Sequence, residues 1–532
     1  MEGFLAEAPN TPTFEIFSMR RLPLAAGLVV ALASLAACDR TAPPAPSTQA
    51  AAPAPAAVAK AIAWRHGDVD DAFAEARESG RPVLLYWGAV WCPPCNKLKA
   101  TLFQDPAFIA LTGNFVPVYL DGDLPGAQAW GEEFGVRGYP TLVVLTPDRQ
   151  EITRVAGGND SAALVDTLKR AAGRRASVAS VLQNALATPQ SLSADDWAVL
   201  ADYGWEVDAN RLAGEQAPEK LLRGLAAHAP TPQLQRRFTL LALASGDSKA
   251  KLDASDRAVL SQVLADPAEV HANQSVLTYA GADLVARATQ GSTDANALGA
   301  QLLAALQADA GAKASAEDRL GWVLVEIDLA RQQQPEGPLP APLVAKTKAA
   351  VAAVDAASHT AYERQAIIST AAYALQQAGD DAGAEKLLKD ELPRSHTPYY
   401  YMPDLAELAE KRGDKAAAIE LLRKAYEGAQ GPATRVQWGV LYVEGLVRLT
   451  PDDAKAIEAA TAQVVGELGE QPEGYHQRTR QRFEKLGKTL AAWSREHGGA
   501  QTLARLKART EQACKRPSTQ SVDDACANWL GG

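Results

Sequence analysis

Pro82-Val83-Leu84-Leu85-Tyr86-Trp87, Trp91-Cys92-Pro93-Pro94-Cys95 and Asn96-Lys97-Leu98-Lys99-Ala100 together decide how this chain folds. An apolar run of strand length gives way, across two cysteines, to residues with helix-forming preference. Two cysteines separated by two residues form a dithiol that can close to a disulfide and reopen. At a strand-to-helix junction the first sulfur lies at the helix N-terminus, where the macrodipole favours the thiolate, the reactive form in exchange.

Working outward, residues 70–78 carry Ala72, Phe73 and Ala76 at helical spacing, and Gly80 ends the pattern. Residues 115–120 read as a strand ending in Asp121-Gly122-Asp123, and 127–134 as a helix. Gly135 to Thr141 turn into the apolar run Leu142-Val143-Val144-Leu145. A hairpin at Pro147-Asp148 leads to a strand over 151–155, and 161–171 close with a helix. After the initial helix the order is β-α-β-α-β-β-α. Together with the Trp91-Cys92-x-x-Cys95 run, Thr101-Leu102-Phe103-x-Asp105 and Gly138-Tyr139-Pro140-Thr141, this order resembles the thioredoxin superfamily. The resemblance extends to its periplasmic branch, which includes the C-terminal domain of the membrane thiol:disulfide interchange reductase. It covers residues 63–175 and implies an α/β fold with a central mixed sheet flanked by helices. A zinc site would need two further ligands at metal-binding spacing, and none accompanies the pair.

The placement predicts that Cys92 is exposed and attacks a partner disulfide, and that Cys95, a turn inside and shielded, resolves the mixed disulfide. The resemblance implies a cis Tyr139–Pro140 bond beside the sulfurs and pairing of the Tyr139 backbone with an extended substrate segment. Trp91 is placed at the rim, with a plain core role equally open. Neither Pro93 nor Pro94 has an amide hydrogen to give the Cys92 thiolate, which points to a moderately lowered thiol pKa and a reducing or intermediate potential. The sequence departs from the family at Tyr86, where many thioredoxins hold a buried Asp. It departs again at Lys99, where the interchange reductase domain has an acid. Asp121 and Glu133 are the nearest candidates for moving the proton, against a solvated-surface reading of both.

Met19-Arg20-Arg21 and the sixteen residues Leu22 to Ala37 read as a charged and then an apolar signal region, at ~1.5 Å per residue too short for a ~30 Å bilayer core. The run ends in Leu35-Ala36-Ala37-Cys38, which resembles a bacterial lipobox and implies lipidation of Cys38. Asp39 resembles an inner-membrane retention signal. Glu2, Glu7 and Glu15 do not suit a signal, so residues 1–18 read as a misassigned extension, 19–37 as the lipoprotein signal and 38–62 as a Pro/Ala-rich tether. The expected location is the bacterial periplasm, anchored to a membrane by lipid.

Beyond 176 the residues are Ala-, Leu-, Glu- and Lys-rich with helical spacing. Two regions are expected, 176–345 and 346–532, the second resembling tetratricopeptide repeats. There Gly379-Asp380-x-x-x-Ala384-x-x-Leu387-Leu388 recurs, offset by 34, as Gly413-Asp414-x-x-x-Ala418-x-x-Leu421-Leu422. Gly246-Asp247 and Leu284–Gly291 read as eroded relatives. Tyr399, Tyr400 and Tyr401 either line a groove or pack between helix layers. Cys514 and Cys526 are expected to form a structural disulfide rather than a relay to Cys92.

The chain has 532 residues, 47% of them apolar, and a net charge of −10, which argues against nucleic acid as a partner. Its seven histidines are scattered, and no nicotinamide or flavin fingerprint is visible. The expected function is a membrane-tethered oxidoreductase that reduces or isomerises disulfides of exported proteins. Its only redox group would be the Cys92–Cys95 pair, with electrons from a membrane thiol reductase. A disulfide oxidase, or a scaffold or chaperone whose helical region does the work, are the competing readings.

Overall fold

The structure, a computed structural model, describes residues 61–530 except 68, 157–160, 206–210, 291–293, 312–313, 472 and 516–522. Cys38, the signal region and the tether lie outside the described residues. The first unit runs β1 (Arg65–His66), α1 (Val69–Ser79), β2 (Val83–Gly88), α2 (Pro93–Ala100), α3 (Pro106–Thr112), β3 (Val116–Asp121), α4 (Pro125–Glu133), β4 (Thr141–Leu145), β5 (Glu151–Ala156) and α5 (Ser161–Ala172). The sheet order is β1-β3-β2-β4-β5; β1, β3 and β2 run parallel, and β4 and β5 are antiparallel.

β2 is buried along its whole length because both faces of the sheet are covered. Its side chains alternate: Leu84 and Tyr86 pack with Leu142, Val144, Leu164 and Leu168, while Val83, Leu85 and Trp87 pack with Phe73, Val116, Val118 and Val143. Two elements go beyond the sequence expectation. β1 is a two-residue strand added at the edge, and α3 is capped by Asp105, whose side chain accepts from the Ala107 and Phe108 amides ahead of Pro106 at the first turn.

From Val178 onward the described residues fold into helices, beginning with Val178–Ala187 and ending with Asp524–Ala527. Three apolar clusters follow one another along this body, over residues 178–329, 320–408 and 399–529. The boundary expected between 345 and 346 falls inside the helix Ala341–Ala357, so the chain does not divide there. Among the described residues no helix is long and apolar enough to cross a membrane.

The 34-residue repeat recurs in the backbone as matching turns and caps. Gly379 and Gly413 have φ of 77° and 81°, the left-handed helix ending that glycine permits. The Asp380 amide donates to Leu375 O at 2.8 Å and the Asp414 amide to Ala409 O at 2.9 Å. Each Asp then caps the next helix, at 3.1 Å and 3.0 Å, and Ala384 and Ala418 are fully buried where helices approach closely. Asp453 caps Ala454–Gly469 with similar backbone angles, but no left-handed residue directly precedes it. Upstream, Gly246 has φ −86° and lacks the left-handed ending, which removes it from the series; Gly291 lies outside the described residues.

Candidate active site

Pro93 and Pro94 occupy the first turn of α2, where a missing amide hydrogen costs no helical bond. Cys92 is the N-cap, and the Cys95 amide, the first available after the two prolines, donates to Cys92 Sγ at 3.3 Å. Cys92 and Cys95 are joined as a disulfide with Cα atoms 5.3 Å apart. The Tyr139–Pro140 bond is cis, and Tyr139 and Trp91 pack against the pair together with Ala89. Thr141 Oγ1 donates to Gly138 O at 2.8 Å across this turn. The Tyr139 hydroxyl donates to Gly122 O at 3.0 Å and burial pushes its pKa up to about 12, so it stays a neutral donor. Gly122 is required there, since a Cβ would overlap the Tyr139 ring.

Cys95 is fully buried as expected. Cys92 is not exposed: its residue retains 2% of its surface, packed with Ala89, Cys95, Trp91 and Tyr139, and the helical body contacts the last two. Gln365, from the helix Ala361–Gln377, donates to Trp91 O at 3.2 Å. The Arg478 guanidinium lies 4.7 Å from the centre of the Trp91 ring and 5.2 Å from that of Tyr139. Trp91 is therefore half-buried between the two units, and Tyr400 and Met402 flank the same apolar cluster.

Sequence reasoning missed Asp123. Its Oδ2 accepts from Trp91 Nε1 at 2.5 Å, and its Oδ1 accepts from the Thr434 amide at 2.9 Å and hydroxyl at 2.7 Å. Burial holds its carboxyl above the usual range, opposed by the Thr434 hydrogen bond, the Arg478 charge and the Trp91 hydrogen bond. The Asp-Gly-Asp turn was visible, but the partner 311 positions away was not. Asp121 accepts the Asp123 amide at 3.1 Å, and Glu133 is half exposed beside Arg149 at 3.8 Å. Lys99, its ammonium form disfavoured by burial, donates to Tyr119 Oη at 3.3 Å. Tyr86 is buried in the core, its hydroxyl pKa raised mainly by desolvation.

In the helical body Cys514 and Cys526 are joined, and Tyr399 and Tyr401 are buried between helix layers, Tyr399 meeting Trp438 at 6.3 Å.

Comparison with known proteins places this geometry. Residues 69–172 match the thioredoxin-like domain family. The chain is 34% identical over 115 residues to thiol:disulfide interchange protein DsbD 1 of Pseudomonas aeruginosa, a match covering 20% of this chain and 19% of that protein. It is 32% identical over 96 residues to protein disulfide-isomerase of Hordeum vulgare, covering 18% and 17%. It is 33% identical over 104 residues to thioredoxin of Mycolicibacterium smegmatis, covering 19% of this chain and 89% of that one. The chain thus spans about a fifth of the length of the first two relatives.

Proposed function

The chain belongs to the thioredoxin superfamily, and on that premise we propose that it is a thiol–disulfide oxidoreductase that reduces or isomerises disulfides in exported proteins. The observation that carries this is the Cys92–Cys95 disulfide at the start of α2 beside the cis Tyr139–Pro140 turn. In the reducing direction the Cys92 thiolate attacks a client sulfur and the other client sulfur leaves as a thiolate. The Cys95 thiolate then attacks Cys92 Sγ, releasing the second client thiolate. Two electrons pass to the client, the two client thiolates take up protons, and the enzyme is left as the disulfide. An external dithiol must restore it, for which a membrane thiol reductase is the partner we propose. Cys92 serves as nucleophile and Cys95 as resolving thiol; Pro140 and Tyr139 shape the turn against which a client segment lies. The Cys92–Cys95 pair is the only redox group this reaction uses.

The signal-like residues 19–37 and Cys38 support a lipid-tethered periplasmic protein, with Asp39 favouring the inner membrane. The Cys514–Cys526 pair serves as a staple, and the tetratricopeptide-like body as the part that governs client access.

Insulin reduction by the full chain with dithiothreitol is expected to fall at least about a hundredfold in Cys92→Ser. Equal turnover in the two would refute the assignment. Equilibration of the pair with glutathione buffers is expected to give a potential well below the ~−120 mV of strong oxidases; a value there would reverse the direction to oxidase.

A further inference from the structure

An incoming sulfur must approach Cys92 Sγ to bonding distance, yet that residue is buried beneath Trp91 and Tyr139, over which the helical body in turn lays Arg478 and Gln477. The cover is polar. The Gln477 amide donates to Glu132 Oε2 at 2.9 Å, and Gln477 Nε2 donates to Val136 O, three residues before the cis bond. The Thr479 amide donates to Gln128 Oε1 at 3.2 Å, and Arg480 pairs with Glu132 at 2.7 Å. Thr434 holds Asp123, and Gln365 holds Trp91 O. On the thioredoxin-like side these contacts are made almost wholly by acceptors. The exceptions are Lys97, which pairs with Glu317 at 3.2 Å, and the Tyr139 hydroxyl, 3.4 Å from Gln477 Oε1.

Two further observations mark this cover as one that opens. Gln477 has φ 40°, a left-handed conformation that a side chain disfavours. Moreover Gln128 Nε2, Arg478 Nη1 and Thr479 Oγ1 are buried there without a hydrogen-bond partner. Separation relieves the strain and returns those atoms to water, which lowers the cost of opening relative to that of a packed apolar interface.

We propose that the turn Gln477–Arg480 is a gate over the dithiol, and that it occupies the place of a client segment which is extended in backbone and basic in side chains. When the gate swings away, Gln128, Glu132 and the carbonyl of Val136 are left without the donors that Thr479, Gln477 and Arg480 supply. An extended segment supplies amide hydrogens to such a face, and arginine or lysine replaces Arg478 and Arg480. The inference rests on the redox reading above, but its first test does not.

The full chain is reduced, and iodoacetamide alkylation of Cys92 is timed in the native protein, in Gln477→Ala combined with Thr434→Ala, and in the surface variant Arg480→Ala. The double variant is expected to alkylate at least about tenfold faster and Arg480→Ala a few-fold faster. Circular dichroism checks that each is folded, and Arg480→Ala serves alone if the double variant is not. Equal or slower alkylation in the folded variants would overturn the gate. In a second arm the same proteins reduce two peptide disulfides, one flanked by arginines and one by glutamates. A several-fold preference for the basic peptide that shrinks in added salt is expected; preference for the acidic peptide would overturn the client chemistry. Failure of the redox reading is seen separately, as no peptide reduction by any version whatever the alkylation rates.

Discussion

Cys92, Cys95 and Pro140 act through neighbours close in sequence or through the sheet that carries them, and their pattern was legible before any coordinates. The prolines at 93 and 94 illustrate this: they leave the Cys95 amide as the one nearby donor to sulfur, as the missing hydrogens require. The covering of Trp91 beside Cys92 and the part played by Asp123 were illegible, because they depend on Gln365, Thr434 and Arg478, hundreds of positions away. Gly122 belongs to both cases, for it lies in a visible Asp-Gly-Asp turn but matters because the Tyr139 ring sits where its Cβ would be. Gly122→Ala is expected to push that ring and the cis turn aside, destabilising the chain by about 1–3 kcal/mol and slowing insulin reduction. Thermal unfolding and turnover read the two effects, and a variant with unchanged values for both would show that the turn tolerates displacement.

The elements divide by how local their causes are. Strands β2 and β4 were readable from continuous apolar runs, since a sheet covered on both faces needs no polar alternation. Helix α3 escaped the reading although Asp105-Pro106 is a local start signal, because seven residues offer too little periodicity to register. The Gly-Asp repeat was readable for the opposite reason: one glycine in the left-handed region and one capping Asp suffice to end a helix and begin the next. Inside this repeat region, Asp404 sits in the first turn of Met402–Lys411, where the helix dipole favours its charge. Burial outweighs the dipole, and with Glu407 nearby it pushes the Asp404 carboxyl up to about 7. A raised acid pKa favours the fold below the unfolded value near 4, and that stability is lost as pH rises through 7. Asp404→Asn is therefore expected to stabilise the body at pH 8.5 by roughly 2–4 kcal/mol and to change little at pH 4. Melting curves at the two pH values check it; an equal shift at both would remove Asp404 as the cause.

At the scale of the molecule, the thioredoxin-like unit and the helical body form one connected structure around the dithiol. The C-terminal end supports the gate helix Gln477–His497 from behind: the Trp529 ring lies 4.9 Å from Phe483, and Trp529 O fills the space a Cβ on Gly487 would need. Cys514–Cys526 ties that end down across a sequence separation of 12. Replacing both by serine is expected to lower the stability of the body by about 3 kcal/mol through loop entropy. The urea midpoint of the helical signal reads this, and an unmoved midpoint would mean that packing of Trp529 alone suffices. By itself the sequence determined the mixed sheet, the dithiol at a helix start, the cis-proline turn and the helical nature of the rest. The dithiol at a helix start and the helical rest are written in periodicity, capping or spacing within a few tens of residues. The mixed sheet and the cis turn are written in the resemblance to the thioredoxin superfamily that those motifs carry. Only the tertiary structure decided that the dithiol is covered, which residues cover it and that Asp123 joins the two units. Those contacts link positions more than two hundred residues apart through single polar side chains, which leave no periodic trace along the chain.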